Sequence, residues 1–261
     1  MTYVYQGRGF ILVVFVVLSG AIFYRIRLAR TGKVPYLRKL AGVSAIEEAV
    51  GRATELGRPI VFSPGIAGLG GEYGAQTFAA LEILGYVART AAKYDTRIIV
   101  GIRIPEVLPI AEEIVRSAFA AEGKLDRYNP DDVRFLSQAQ FAYAAGVMGI
   151  MERERPGATF LIGGFWAESL MFAEVGNSIG ALQIAGTANL HQIQFFVAAC
   201  DYTLLGEEMF AVGAYFSGDP VKKAIIAGQD FGKIIAIFLI VAGTLFATFG
   251  LESIVNRVIN W

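Results

Sequence analysis

Apolar residues are distributed along the chain in two ways. Near each end lies an uncharged apolar run, Gly9 to Tyr24 and Ile234 to Leu251. Between them, short apolar stretches alternate with longer amphipathic ones. About 20 apolar residues suffice for an α-helix to cross a bilayer. The first run falls slightly short, and Tyr3 and Tyr5 ahead of it extend it as interfacial anchors. A cleaved signal peptide would need a basic start and a small-residue cleavage site. Arg8 is the only basic residue before the run, which passes straight into Ile22-Phe23-Tyr24-Arg25, so a membrane helix is expected. The second run holds eighteen uncharged residues between Lys233 and Glu252. A buried soluble helix is the alternative there, and unbroken length favours the membrane. Gly243, Ala247 and Gly250 fall near one face of it. Small residues so spaced allow close helix approach, either to Ser19, Gly20 and Ala21 of the first run or to another subunit; chance spacing is the competing reading.

The region between the runs predicts a helix over Ala45 to Leu56, a strand at Ile60 to Phe62, a glycine-rich loop, and a helix from about Ala75 to Lys93. A strand over Thr96 to Ile102 and a helix from Glu106 to Glu122 follow. Val133 to Leu136 predicts a short strand, and Ser137 with Gln140 reads as a capping box for a helix from Gln138 to Glu154. Ala158 to Ile162 predicts a strand, with Gly163-Gly164 opening a helix over Phe165 to Val175. Ala181 to Ala185 and Gln194 to Ala199 are the last candidate strands. A helix over Tyr202 to Phe216 comes next, then one from Asp219-Pro220 that runs on into the second membrane segment. Strands alternating with helices imply an α/β fold, a Rossmann-like three-layer domain with a mostly parallel sheet. The strand order does not follow from the pattern. The expected division is a terminus over 1–8, a span over 9–24, a basic juxtamembrane stem over 25–41, the α/β domain over 42–218, a connecting helix over 219–233, a second span over 234–251, and a terminus over 252–261.

Charge then sets an orientation. Arg25, Arg27, Arg30, Lys33, Arg38 and Lys39 follow the first run, and Lys222, Lys223 and Lys233 precede the second, whereas Arg8 and Arg257 alone flank the far sides. Basic residues collect on the cytoplasmic side, so the α/β domain is expected in the cytoplasm with both termini outside. The stem suits contact with anionic membrane lipids. Overall charge is balanced, 23 basic against 23 acidic residues, so no field directs the chain to nucleic acid. The single cysteine, Cys200, excludes an intrachain disulfide, and the single histidine, His191, excludes the usual zinc ligand sets. The mean hydropathy of +0.52 is high for a soluble protein and reflects the two end runs.

The strongest candidate chemistry is the loop Ser63-Pro64-Gly65-Ile66-Ala67-Gly68-Leu69-Gly70-Gly71-Glu72-Tyr73-Gly74, placed between a strand and a helix N-terminus. Parallel sheets put ligands there, and helix N-termini attract anions. The glycine spacing fails the dinucleotide fingerprint, because Tyr73 stands where the third glycine belongs. No lysine completes a phosphate loop. Arg103, rather than an acidic residue, follows the second strand. Ser63, Gly65, Gly68, Gly70, Gly71 and Arg103 therefore remain candidates for a small anion, against a plain loop or subunit contact. A second cluster, Glu168, Asn189, His191 and Asp201, is expected to converge at the carboxyl edge of the sheet, with Cys200 and His191 as a conceivable nucleophile and base. An interior cysteine is more often apolar filler. Glu207 with Glu208, or Glu168 with Glu174, could hold a hard cation, but surface carboxylates are ordinarily solvated. Met148, Met151, Met171 and Met209 read as core, and Phe195-Phe196 and Tyr215-Phe216 as core or interface. No motif implies a cofactor or names a catalytic residue.

Gln183-Ile184-Ala185-Gly186-Thr187-Ala188-Asn189 and Phe195-Phe196-Val197-Ala198-Ala199-Cys200-Asp201-Tyr202-Thr203-Leu204-Leu205-Gly206-Glu207-Glu208 resemble a family of prokaryotic membrane proteins described as a domain of unknown function. Asp131 to Leu136 and Phe141 to Gly149 extend the resemblance, which covers nearly the whole chain. It implies a bacterial or archaeal envelope protein and carries over no reaction or ligand. The expected role is a structural or scaffolding subunit of a homo-oligomer or larger membrane complex. A small-ligand sensory module is the alternative, and a membrane-bound enzyme a third class.

Overall fold

The computed structural model describes residues 9–33, 41–250 and Ser253. The expected termini (1–8 and 252–261) and part of the basic stem, including Pro35, Arg38 and Lys39, lie outside those residues, apart from Ser253. The chain forms two compact units: Lys39–Ser217, and the segments before and after it, Met1–Arg38 with Gly218–Trp261.

In chain order the described elements are α1 (Gly9–Arg30), α2 (Ala41–Glu55), β1 (Ile60–Gly65), α3 (Gly74–Lys93), β2 (Ile98–Ile102), α4 (Leu108–Ala121), β3 (Val133–Phe135), α5 (Gln140–Glu154), β4 (Ala158–Gly164), α6 (Glu168–Ser178), β5 (Leu182–Thr187), α7 (Leu190–Ala199), β6 (Tyr202–Leu205), α8 (Glu207–Ser217) and α9 (Pro220–Thr248). All six strands run parallel in the order β3-β2-β1-β4-β5-β6. This is the Rossmann order, with its topological switch between β1 and β4. The fold is therefore α/β, as the alternation of elements predicts.

Each central strand is buried throughout because helices cover both faces of the sheet. Alternate side chains sort to opposite layers. Phe62, Val100, Phe160 and Ile184 pack with α2, α3, α4 and α8. Val61, Ile99, Leu161 and Ala185 pack with α5, α6 and α7, where Tyr143, Phe165, Phe172 and Phe196 fill the interior. Phe172 meets Tyr143 and Phe165 edge-to-face at centroid distances of 6.0 and 6.3 Å.

Several local expectations are corrected. The residues Gln194 to Ala199 are not a strand but the second half of α7. Tyr202–Leu205, expected to open a helix, is the last strand, and that helix starts at Glu207. Ser63 to Gly65, expected in the loop, complete β1. The Asn189 side chain accepts from the His191 amide at 3.2 Å and starts a helix that overrides the strand propensity of Phe195-Phe196-Val197. Gly163 and Gly164 end β4 rather than open a helix. Ser137 does not cap α5: its hydroxyl accepts from Ala139 N at 3.1 Å, and the Gln140 side chain turns to Glu168 instead.

In the other unit, α1 and α9 are long and apolar enough to cross a membrane. They pack against each other. A Cβ at Gly228 would stand 3.0 Å from Ile22 Cγ1, and one at Gly232 would stand 3.2 Å from Leu18 Cδ2. Ascending positions on α9 meet descending ones on α1, so the helices are antiparallel. The expected small-residue contact to the first run is thus made by Gly228 and Gly232, while Gly20, Gly243 and Gly250 have open space where a side chain would go. Asp219 caps α9 by accepting from Val221 N at 2.7 Å, with Pro220 in the first turn.

Candidate functional site

Ligands of doubly wound sheets bind beyond the strand carboxyl ends at the switch point, here the gap between β1 and β4. The two strands come very close there. Gly65 has φ +87°, and a Cβ on it would meet the Gly164 carbonyl oxygen. Gly163 has φ +137°, and a Cβ on it would meet the Pro64 carbonyl oxygen. The pairing register shifts between Ser63 and Gly65, which marks a bulge, and Ile66 N donates to Gly164 O at 2.9 Å beyond it. The glycines at this point serve backbone-to-backbone approach.

The loop after β1 then folds over the gap. Tyr73 covers Gly164, with its Cβ 3.0 Å from where a glycine substituent would start, and its ring meets Trp166 edge-on at 6.4 Å. Arg103, at the end of β2, holds the loop from the other side by donating to Ile66 O at 2.7 Å and to Gln138 O at 3.0 Å. Glu106 accepts from Leu69 N at 2.8 Å and lies against Gly68. A carboxylate therefore occupies a loop amide that an anion would use. At the start of α3, Gly74 N and Gln76 N are engaged by Gly71 O and Tyr73 O. Gly70 and Gly71 have open space around them, and both are exposed with Glu72 at the tip of the loop.

Beneath the loop the polar side chains satisfy one another. Buried Ser63 and Tyr143 share a hydrogen bond of 2.7 Å, and the Tyr143 hydroxyl donates to Gly101 O at 3.2 Å. Burial holds that hydroxyl well above its ordinary value of 10.0. Glu168, fully buried at the start of α6, accepts from Trp166 N at 2.7 Å and from Gln140 Nε2 at 2.5 Å. Gln76 Oε1 accepts from Thr187 Oγ1 and from Ala188 N, and Asn189 Nδ2 donates to Phe165 O at 3.1 Å. Ser63, Gly65, Gly68, Arg103, Glu168 and Asn189 are thus brought to one edge of the sheet, and His191 is exposed beside them at the start of α7. Around them Phe141, Trp166, Leu170 and Leu190 are exposed apolar side chains, 44 to 76% accessible.

Asp201 and Cys200 do not join this edge. They precede β6, so they lie at the amino edge, where Asp201 Oδ2 accepts from Gln183 N at 2.7 Å. Nine residue steps, roughly 14 Å at 1.5 Å each, carry α7 from His191 to its C-cap Cys200. The misplacement followed from reading the second half of α7 as a strand. Burial, reinforced by Asp201, pushes the Cys200 thiol from 9.0 up to about 12. Between pH 7 and pH 9 this thiol stays protonated. Alkylation of the folded protein by iodoacetamide, followed by intact mass, should be slow and show no titration step in that range. A step near pH 8 would contradict the assigned burial.

Glu106, Tyr73, Gln76, Gln140 and Tyr143 shape this edge, and the sequence names none of them as a site residue: Gln140 reads there as a capping-box partner and Tyr73 only as a break in the glycine pattern. Their partners lie 28 to 112 residues away along the chain, and only Tyr143, an aromatic with a polar tip inside an apolar helix, carries a local hint. Among the described residues no group of three or more His, Cys, Asp or Glu is placed to hold a metal ion.

No curated protein and no solved structure matches the chain. A family model does, over residues 1–258, which takes in both apolar helices and the entire sheet domain. The chain belongs to that family, DUF6754, a domain of unknown function.

Proposed function

We propose that the chain is a self-assembling structural subunit of a prokaryotic cytoplasmic membrane. In this reading α1 and α9 cross the bilayer and the α/β domain lies in the cytoplasm, contacting anionic lipid through the basic stem. The observation that carries it is the state of the carboxyl edge. Its buried polar groups are matched within the chain, the loop amide of Leu69 is held by Glu106, and Tyr73 covers Gly164 at the switch point. Beside exposed His191 and Glu72, this edge presents four exposed apolar side chains, Phe141, Trp166, Leu170 and Leu190. Exposed apolar side chains grouped in this way suit a protein contact. Charge supports the orientation, since Arg25, Arg27 and Arg30 end α1 and Lys33 follows it, while Lys222 and Lys223 begin α9.

Crosslinking in intact cells with an amine-reactive reagent tests the proposal. Covalent dimers and higher multiples of the 28.2 kDa chain are expected. A chain that stays monomeric, with no covalent product at any reagent concentration, overturns it.

A further inference from the structure

Antiparallel pairing of α1 and α9 fixes which residues share a depth. With Gly228 against Ile22 and Gly232 against Leu18, Tyr24 lies level with Ile226, and Gly9 lies level with Val241. The uncharged length of α1 therefore runs beside residues 226 to 241 of α9. Asp230 and Lys233 fall inside that band. Lys233 stands roughly 10 Å along the axis from the level of Tyr24, at 1.5 Å per residue. The two side chains form an ion pair of 2.8 Å and remain half exposed, 57% and 46% accessible.

They also point the other way from α1. At 100° per residue, Asp230 and Lys233 lie on average about 150° around α9 from the glycines that contact α1. The same face continues through Ile237, Ile240, Thr244 and Ala247, a three-four spacing that makes a straight seam along a helix. Ile237 and Ile240 are 61% and 68% exposed on it. Charges facing lipid at this depth are costly, and such residues ordinarily face another helix, whereas the Thr244 hydroxyl is satisfied within α9 by donating to Ile240 O at 2.8 Å.

We propose that this seam of α9 is a contact between two copies of the chain within the membrane, an inference that rests on the two-span assembly reading above. Two copies inserted in the same direction are related by an axis along the membrane normal, so their α9 helices run parallel. Each Lys233 then lies between its own Asp230 and that of the second copy, and four charges alternate in sign. The contact is isologous: one seam suffices for both partners. Gly228 and Gly232 remain free to hold α1, so intramolecular and intermolecular packing use opposite faces of one helix.

The test is oxidative crosslinking of the full chain in its own membrane, in a Cys200→Ser background. Ile240→Cys is expected to give a disulfide-linked dimer, and Phe238→Cys, equally exposed but off the seam, is expected to give at least tenfold less. Asp230→Lys in the Ile240→Cys chain should reduce the dimer severalfold, and adding Lys233→Asp should restore it. If Ile240→Cys fails to crosslink, or Phe238→Cys crosslinks as well, the seam is wrong. Assembly itself survives that outcome if the amine-reactive reagent still joins copies, and falls with the seam if it does not.

Discussion

Gly65→Ala is expected to destabilise the α/β domain by roughly 2 to 6 kcal/mol. Two costs combine. A non-glycine residue held at positive φ stores about 1 to 3 kcal/mol of backbone strain, and Gly65 sits at +87°. The new methyl group would also be driven into the Gly164 backbone, and overpacking where nothing flexible can yield costs about 1 to 3 kcal/mol more. Both strands involved are central and fully buried, so the collision cannot be relieved by moving an edge. Against a total stability of about 5 to 15 kcal/mol, typical for a domain, this is a large share. Gly70→Ala is the matched control: it has open space and no positive φ, and should change stability by less than about 0.5 kcal/mol. Denaturant unfolding of the detergent-extracted chain, followed by tryptophan fluorescence, separates the two. Equal midpoints for the two variants would show that β1 and β4 do not approach as described.

Phe172→Ala should cost a similar amount, about 3 to 5 kcal/mol, by a different route. The ring is fully buried in the layer under α5, α6 and α7, between Tyr143 and Phe165. Removing it forfeits the burial of the ring and leaves a cavity that the surrounding helices can close only in part. Phe172→Leu keeps most of the volume and should lose less than half as much. Because Tyr143 contacts Phe172 and also holds Ser63 at the end of β1, Tyr143→Phe combined with Phe172→Ala should be non-additive. Additive losses in a double-mutant cycle would mean that the aromatic layer and the polar edge are independent.

How far the sequence reveals this molecule depends on the range of the interactions involved. The strand cores Ile60 to Phe62, Ile98 to Ile102 and Ala158 to Ile162 are legible because burial on both faces makes them continuous apolar runs. Their extensions to Gly65 and Gly164 are not legible, because Ser-Pro-Gly and Gly-Gly read as loop and helix start. The strand order is not, since it depends on which helices cross to which side. Residues Gln194 to Ala199 mislead because Phe-Phe-Val suits a strand, while a cap six or more residues upstream, at Asn189, decides for helix. That one reversal moved Asp201 and Cys200 to the wrong edge of the sheet. Within the candidate site, Gly65 and Gly68 are conspicuous as glycines, but their reason is not local. Gly65 is required by the Gly164 backbone, and Gly68 lies against the Glu106 carboxylate, both neighbours being far along the chain. Gln76 is invisible for the same reason, as its partner Ala188 is 112 residues away. The apolar end runs were legible as candidate membrane helices, whereas their register was not. Gly228 and Gly232, rather than the small residues of the apolar run itself, set the pairing, and this places Asp230 and Lys233 beside the uncharged length of α1.

Self-assembly in the membrane is tested most directly by native mass spectrometry of the full chain, extracted gently from its own membrane. A homo-oligomer with a defined copy number, or a larger complex containing several copies, is the predicted result. A monomer that carries the added mass of a small molecule would contradict assembly and turn attention to the open loop at Gly70 and Gly71.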